Sequence, residues 1–308
     1  VGFFDRLLPS ALTRSDGEPL DRIIGWCRER EAIRQRKAAG DAPPWTRDPI
    51  LAAYRFCCVR REDDATTVWI RKNIREPFAT DRYLWLMLCI ARQINLPDSL
   101  TELIARRAWP TDERFHTDDL EDVLLARQER GERLLRAAYI VHPDNDPASP
   151  WYRKPMPIYI ARGVIRPLWK DRDRFAAYFD KSPRQRSLEA VHSLLMQYPG
   201  WAEFMAYQAV VDMRWTALLD QARDISTWAA AGPGTCRGLN RLHRWPVETR
   251  ITQEQALAEL RELVALLRER LPEMQLDLSD CPNIVCEFDK HERGRLGEGK
   301  LKRRYRPD

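Results

Sequence analysis

Apolar positions recur at helical spacing through most of the chain. Between Leu20 and Lys37, the residues Ile23, Ile24, Trp26, Cys27 and Ile33 fall near one side of an otherwise charged helix. "GDAPPW", residues 40–45, then breaks the pattern with Pro and Gly. The same spacing predicts helices at about 48–58, 63–75, 80–93, 98–107 and 117–137, separated by Pro, Asn or Asp. "HPDNDPASPWYRKPMP", residues 142–157, is the longest irregular run, and helices resume at about 158–169, 171–179, 185–197, 202–212, 214–228 and 252–270. Alternating strands, internal repeats and low-complexity tracts do not stand out. After Phe288 the apolar periodicity stops, so "CEFDKHERGRLGEGKLKRRYRPD", residues 286–308, is expected to form an irregular basic tail. The expectation is an all-α protein with four segments: a helical lead-in (1–43), a first helical half (44–157), a second half (158–280) and a basic arm (281–308). Together they would form one compact unit.

Composition narrows the partners. The 308 residues are 44% apolar and 31% charged, too apolar for a disordered chain. A net charge of +5 fits a polyanionic partner without requiring one. No run approaches a membrane span and no signal-peptide pattern opens the chain, which points to the cytoplasm. Seven scattered cysteines suit reduced thiols. Only Cys281, Cys286 and His291 approach ligand-like spacing, so no metal site is expected.

Three segments carry candidate chemistry. In "YRFCCVRREDD", residues 54–64, Arg60 and Arg61 precede a helix that Asp63 or Asp64 would cap. Guanidiniums beside a helix N-terminus suit a phosphate or pyrophosphate, with Arg55 close by and Glu62 or Asp63 available to orient them or accept a proton. A structural ion-pair network at a helix junction explains the same residues. "LLMQYPGWAEFMA", residues 194–206, has the Pro199-Gly200 turn of a helix-hairpin-helix, whose backbone N–H groups face a DNA phosphate. A plain helical connection is the alternative. "AGPGTCRGLNRL", residues 231–242, sets Arg237, Asn240 and Arg241 in the spacing of a run found in helix-hairpin-helix DNA glycosylases. Gly232 occupies the place of the glycosylase carboxylate and Phe204 that of the lyase lysine, so that chemistry would be lost.

Taken in order, "WTRDPILAAYRFCCVRREDD", "YPGWAEFMAYQAVVDMRW", "GPGTCRGLNRL" and the tail resemble the alpha-glutamyl/putrescinyl thymine pyrophosphorylase family, over about residues 44–305. Cys58 departs from the Asn expected there. The resemblance implies a glycosylase-like helical bundle that displaces pyrophosphate from a modified uracil in double-stranded DNA with an amine or amino acid. It also implies a separate upstream DNA-base kinase as pathway partner. Under it, Arg55, Arg60, Arg61, Arg237, Asn240 and Arg241 would bind substrate or pyrophosphate, with Glu62, Asp63 or Asp212 as base. Pro199, Gly200, Lys290, Arg293, Lys302 and Arg303 would contact DNA. No cofactor is demanded, and Mg2+ is an option alongside the pyrophosphate. A glycosylase acting on modified bases and a non-catalytic DNA binder are the competing readings.

Overall fold

The computed structural model describes residues 18–136, 147–299, 301, 304 and 305. Its elements are α1 (Glu18–Ala38), α2 (Pro49–Ala53), α3 (Ala65–Ile70), α4 (Leu84–Ile94), α5 (Pro97–Ala105), α6 (Thr117–Glu129) and α7 (Met156–Ile158). They continue with α8 (Arg166–Lys170), α9 (Arg172–Phe179), α10 (Leu188–Leu195), α11 (Glu203–Arg214), α12 (Pro233–Leu242), α13 (Gln253–Arg270) and α14 (Cys281–Arg295). A π-turn extends α3 over Arg71–Arg75, and another joins α7 to α8 over Tyr159–Ile165. Among the described residues, strand-like pairing is confined to one antiparallel bridge, Tyr54 with Arg304. The protein is all-α. Among the described residues, no helix is long and apolar enough to cross a membrane.

The chain divides into two compact units, one from the residues up to Asp64 together with those from Ser226 onward, the other Ala65–Ile225. In the first, α12 lies directly along α14. A Cβ on Gly234 would overlap the Cys286 sulfur, and one on Gly238 would overlap the Val285 carbonyl, so only glycine allows this approach. The Thr235 hydroxyl donates to the Pro282 carbonyl at 2.9 Å across the same seam. α13 starts with a capping box between Thr252 and Gln255 and buries Leu260, Leu263, Val264 and Leu267.

The second unit is organised around α4, "LWLMLCIARQI", in which every residue is buried. Trp85 stacks on Phe175 with ring centres 4.0 Å apart. α11 packs against α4 and against α10. Arg92 in the middle of α4 is neutralised by Asp212 of α11 through a two-pronged ion pair, and donates to Thr67 Oγ1 at 3.0 Å. The α10–α11 turn carries Gly200 at φ +79°, where a Cβ would also meet Val164 Cγ2 at 2.7 Å.

Three expectations require correction. The helix predicted at 48–58 ends at Ala53, because Tyr54 turns extended at φ −127°, ψ 152°. No helix forms over 214–228. Asp224 is instead drawn to the start of α10, accepting from the N–H groups of Leu188 at 2.8 Å and Glu189 at 3.0 Å and from the Ser187 hydroxyl at 2.7 Å. The basic arm expected over 281–308, with an irregular tail from 286, instead begins with α14, whose buried side includes Ile284, Val285, Phe288, Asp289, His291 and Glu292. Charged residues fill its last inward positions, which is why the apolar period fades after Phe288.

The α12–α14 seam makes a direct prediction. Gly238→Ala must push two helices apart and is expected to cost about 2–4 kcal/mol in urea unfolding. Gly232→Ala, where a Cβ meets nothing within 4 Å, is expected to cost at most about 1 kcal/mol.

Candidate nucleic-acid interface

Backbone N–H and C=O groups that leave a helix need other partners. For Phe56, Cys57 and Cys58, and for the Arg61 N–H, those partners are side chains. Asp48 caps α2, accepting from the N–H groups of Ile50 and Leu51 at 2.8 Å each. Beyond the helix, Arg30 of α1 donates to the carbonyls of Cys57 at 2.9 Å and Phe56 at 3.2 Å. From α14, Glu287 accepts the Cys57 N–H at 3.2 Å and Asn283 donates to the Cys58 carbonyl at 3.3 Å. Asp64 accepts the Cys58 N–H at 2.7 Å, and Asp280 accepts the Arg61 N–H at 2.8 Å. Burial pushes the Asp280 carboxyl up to about 6 and raises Asp64 as well. Burial also pushes the Cys58 thiol up to about 12, so it is no ready nucleophile at neutral pH.

The charged run is thus largely turned inward. Arg61 and Glu62 are buried in the 3-10 turn Arg61–Asp63. Asp63 is half-buried, 3.8 Å from Arg34 and 4.0 Å from Arg60. Arg237 and Arg241 of α12 both grip Asp289 of α14, at 3.1 and 2.7 Å, and Arg241 also pairs with Glu298. Asn240 donates to the carbonyls of Val247 at 2.9 Å and Thr249 at 2.8 Å, fastening the loop after α12. In the other unit, the Gly200 carbonyl accepts from Gln93 at 3.1 Å, and Asp212 is fully buried in its pair with Arg92. Arg55, Arg60, Arg61, Glu62, Asp63, Arg237, Asn240, Arg241, Lys290 and Arg293 therefore share one unit, while Pro199, Gly200 and Asp212 belong to the other. Lys302 and Arg303 lie outside the described residues.

The outer side of the 54–60 segment is different in character. Lys37 sits 4.3 Å from the ring centres of both Trp45 and Tyr305. Lys290 lies 4.3 Å over Phe56, and Arg55 lies 5.9 Å from the Tyr305 ring. The Tyr305 N–H donates to the Ala53 carbonyl at 2.8 Å, anchoring this part of the tail beside Tyr54. Lys37, Arg55 and Arg304 are exposed. The result is a surface of cations interleaved with aromatic rings. Sequence reading found Arg55 and Lys290 but missed Lys37, Trp45, Phe56 and Tyr305. Their signal was a Trp after the "APP" break and a Tyr within the terminal basic run.

The family model for the helical domain of 5-hmdU DNA kinase matches residues 18–300. The chain belongs to that family. It is also similar to the 5-hmdU DNA kinase of Bacillus phage SP10, 27% identical over 228 residues, covering 68% of this chain and 34% of that protein. The chain thus spans about a third of the length of that relative. No solved structure matches.

Membership in the 5-hmdU DNA kinase helical-domain family overturns the pyrophosphorylase resemblance, the helix-hairpin-helix glycosylase-like fold, the amine transfer and the upstream kinase as a separate partner. The motifs that carried the resemblance have local structural work that explains them. The Arg237–Leu242 run binds α12 to α14 and its following loop, and Pro199-Gly200 closes a helical hairpin. "GRLGEGKL", residues 294–301, has the glycine and lysine spacing of a phosphate-binding loop but places Leu301 where that loop needs Ser or Thr. Gly294 lies within α14 and not after a strand, and a Cβ there would press on Leu301 at 2.7 Å and Ile50 at 2.9 Å. Its glycine serves packing.

At the foot of α14, His291 donates to Asp48 Oδ2 over 2.9 Å. Burial alone would lower this imidazole, but the carboxylates of Asp48 and Glu292 outweigh it and lift it to about 9. Burial would likewise raise Glu292, yet His291, Arg295 and Arg22 hold it at about 2. A raised histidine stabilises the fold fully below its unfolded value near 6.5 and loses that contribution as pH climbs through about 9. Unfolding free energy is therefore expected to fall by on the order of 2 kcal/mol between pH 6 and pH 10 from this group. In His291→Gln, urea titrations across that range should show this alkaline limb flattened. An unchanged limb would place the transition elsewhere.

Proposed function

We propose that this chain acts in the phosphorylation of 5-hydroxymethyldeoxyuridine in DNA and that its own part is to hold the DNA. The family match across residues 18–300 carries the reading. In the reaction, the hydroxymethyl oxygen attacks the terminal phosphorus of a nucleoside triphosphate. A new O–P bond forms, the bond to the bridging oxygen breaks, and the hydroxyl proton passes to a base or water. The target group is attached to a stacked base, so the duplex must be gripped and the base made accessible at a cost of a few kcal/mol.

The surface around Tyr54–Arg60 supports the DNA-holding part. Exposed cations attract phosphates and release counterions, while neighbouring aromatic rings offer faces to unstacked bases. Arg55 and Arg304 suit this role best, because neither side chain is needed to satisfy the extended backbone.

The test is a titration of a 5-hydroxymethyldeoxyuridine duplex across salt, with transfer of labelled terminal phosphate to the same DNA followed in parallel. Binding should weaken along a negative log–log slope, and Arg55→Ala with Arg304→Ala should make that slope shallower by about 1–2. The double variant should raise KM for DNA and leave kcat unchanged. Failure of the chain to bind the duplex would sink the DNA-holding reading, and an unaltered slope would remove this surface from it.

A further inference from the structure

Lys37 stands in the last turn of α1, and no carboxylate among the described residues forms an ion pair with it. Burial and the neighbouring guanidiniums of Arg30 and Arg55 push its ammonium below the usual lysine range. Arg30 is committed to the carbonyls of Phe56 and Cys57, while Arg55 is exposed. Positive charge gathered in this way raises the energy of the free protein, and a bound anion relieves it.

Two rings fix the ammonium in place. It lies 4.3 Å from the ring centres of both Trp45 and Tyr305, which meet edge to face at 5.6 Å. Each ring is anchored through its own residue. Trp45 Nε1 donates to the Asp41 carbonyl at 2.7 Å, and the Trp45 carbonyl accepts from Arg36. Tyr305 is held by its N–H bond to the Ala53 carbonyl at 2.8 Å and by the bridge of Arg304 to Tyr54. Just before them, Leu301 lies against Gly294 of α14. The arrangement therefore draws on α1, the loop that follows it and the end of the chain.

A lysine makes a costly fixed contact, because a flexible four-carbon stem must be immobilised to place one charge. Here the rings have already removed much of that freedom, so an anion meeting the ammonium loses less entropy on binding. Ring faces attract the cation without cancelling its charge, as a carboxylate partner would. We propose that Lys37 binds a backbone phosphate of DNA and that Trp45 and Tyr305 are positioning residues that hold its ammonium for that contact. Arg55, 5.9 Å from the same Tyr305 ring, supplies the neighbouring cation. The proposal rests on the reading of this surface as the part that holds DNA.

Titration of the 5-hydroxymethyldeoxyuridine duplex across salt tests both roles. Lys37→Gln is expected to weaken binding and to make the log–log slope shallower by about 1. Tyr305→Ala removes no charge and is expected to weaken binding about three- to fivefold at unchanged slope. Tyr305→Phe keeps a ring face and should retain the parent affinity. In the Lys37→Gln background, Tyr305→Ala should have no further effect, because the ring acts only through the ammonium. Equal thermal melting of the variants keeps folding out of the comparison. A slope that Lys37→Gln leaves unaltered would overturn the proposal. So would a loss from Tyr305→Ala that persists without Lys37, since the ring itself would then be the contact. Competition by a nucleoside triphosphate at matched ionic strength, abolished by Lys37→Gln, would assign the cation to a free phosphate and overturn it too. In each of these cases, a duplex still bound with a salt slope leaves the DNA-holding reading standing. No duplex binding by parent or variants would sink both.

Discussion

The extended segment from Tyr54 to Arg60 can exist only because side chains replace the hydrogen bonds a helix would have provided. Arg30 reaches it from α1, while Asp280, Asn283 and Glu287 reach it from the start and body of α14. Each buried peptide group left unpaired would cost about 1–3 kcal/mol, so these contacts are a condition of the local fold. They also explain why acidic and basic residues crowd the segment. Asp64 turns to the backbone, Asp63 pairs with Arg34 and Arg60, and Arg61 and Glu62 are buried, leaving Arg55 and Lys290 beside the rings of Tyr305 and Phe56.

α14 connects these features. One side receives α12 through Gly234 and Gly238, and Asp289 gathers Arg237 and Arg241 there. Another side meets α1 and α2 through Glu292 and His291 with their partners Arg22 and Asp48. The helix thus replaces much of an apolar interface with paired charge. Such pairing is worth little by itself in net stability, since desolvation offsets attraction, but removing one member exposes the full cost of the other.

That arrangement also separates what the sequence reveals from what it conceals. Long helices with an apolar face, such as α1, α4 and α13, are legible because burial and period coincide. α14 is hidden because Asp289, His291 and Glu292 occupy inward positions where the periodic reading looks for Leu or Ile. The end of α2 is hidden because its stop depends on Arg30 and Glu287, distant in sequence. Arg237, Asn240 and Arg241 were visible as a pattern, yet their ties to Asp289 and to the carbonyls of Val247 and Thr249 are tertiary facts. A motif shows which residues recur together; it does not say whether they face a substrate or one another.

The buried pair of Arg92 and Asp212 bears on how this protein can change over generations. Either partner replaced alone would strand the other charge in an apolar interior, a loss of about 3–5 kcal/mol, comparable with much of a domain's total stability. Two apolar residues of matching volume could fill the same space at little cost, but the path to them passes through a poorly folded intermediate. The two positions are therefore bound into one inherited unit, which drift can conserve whole or exchange whole, with few viable steps between.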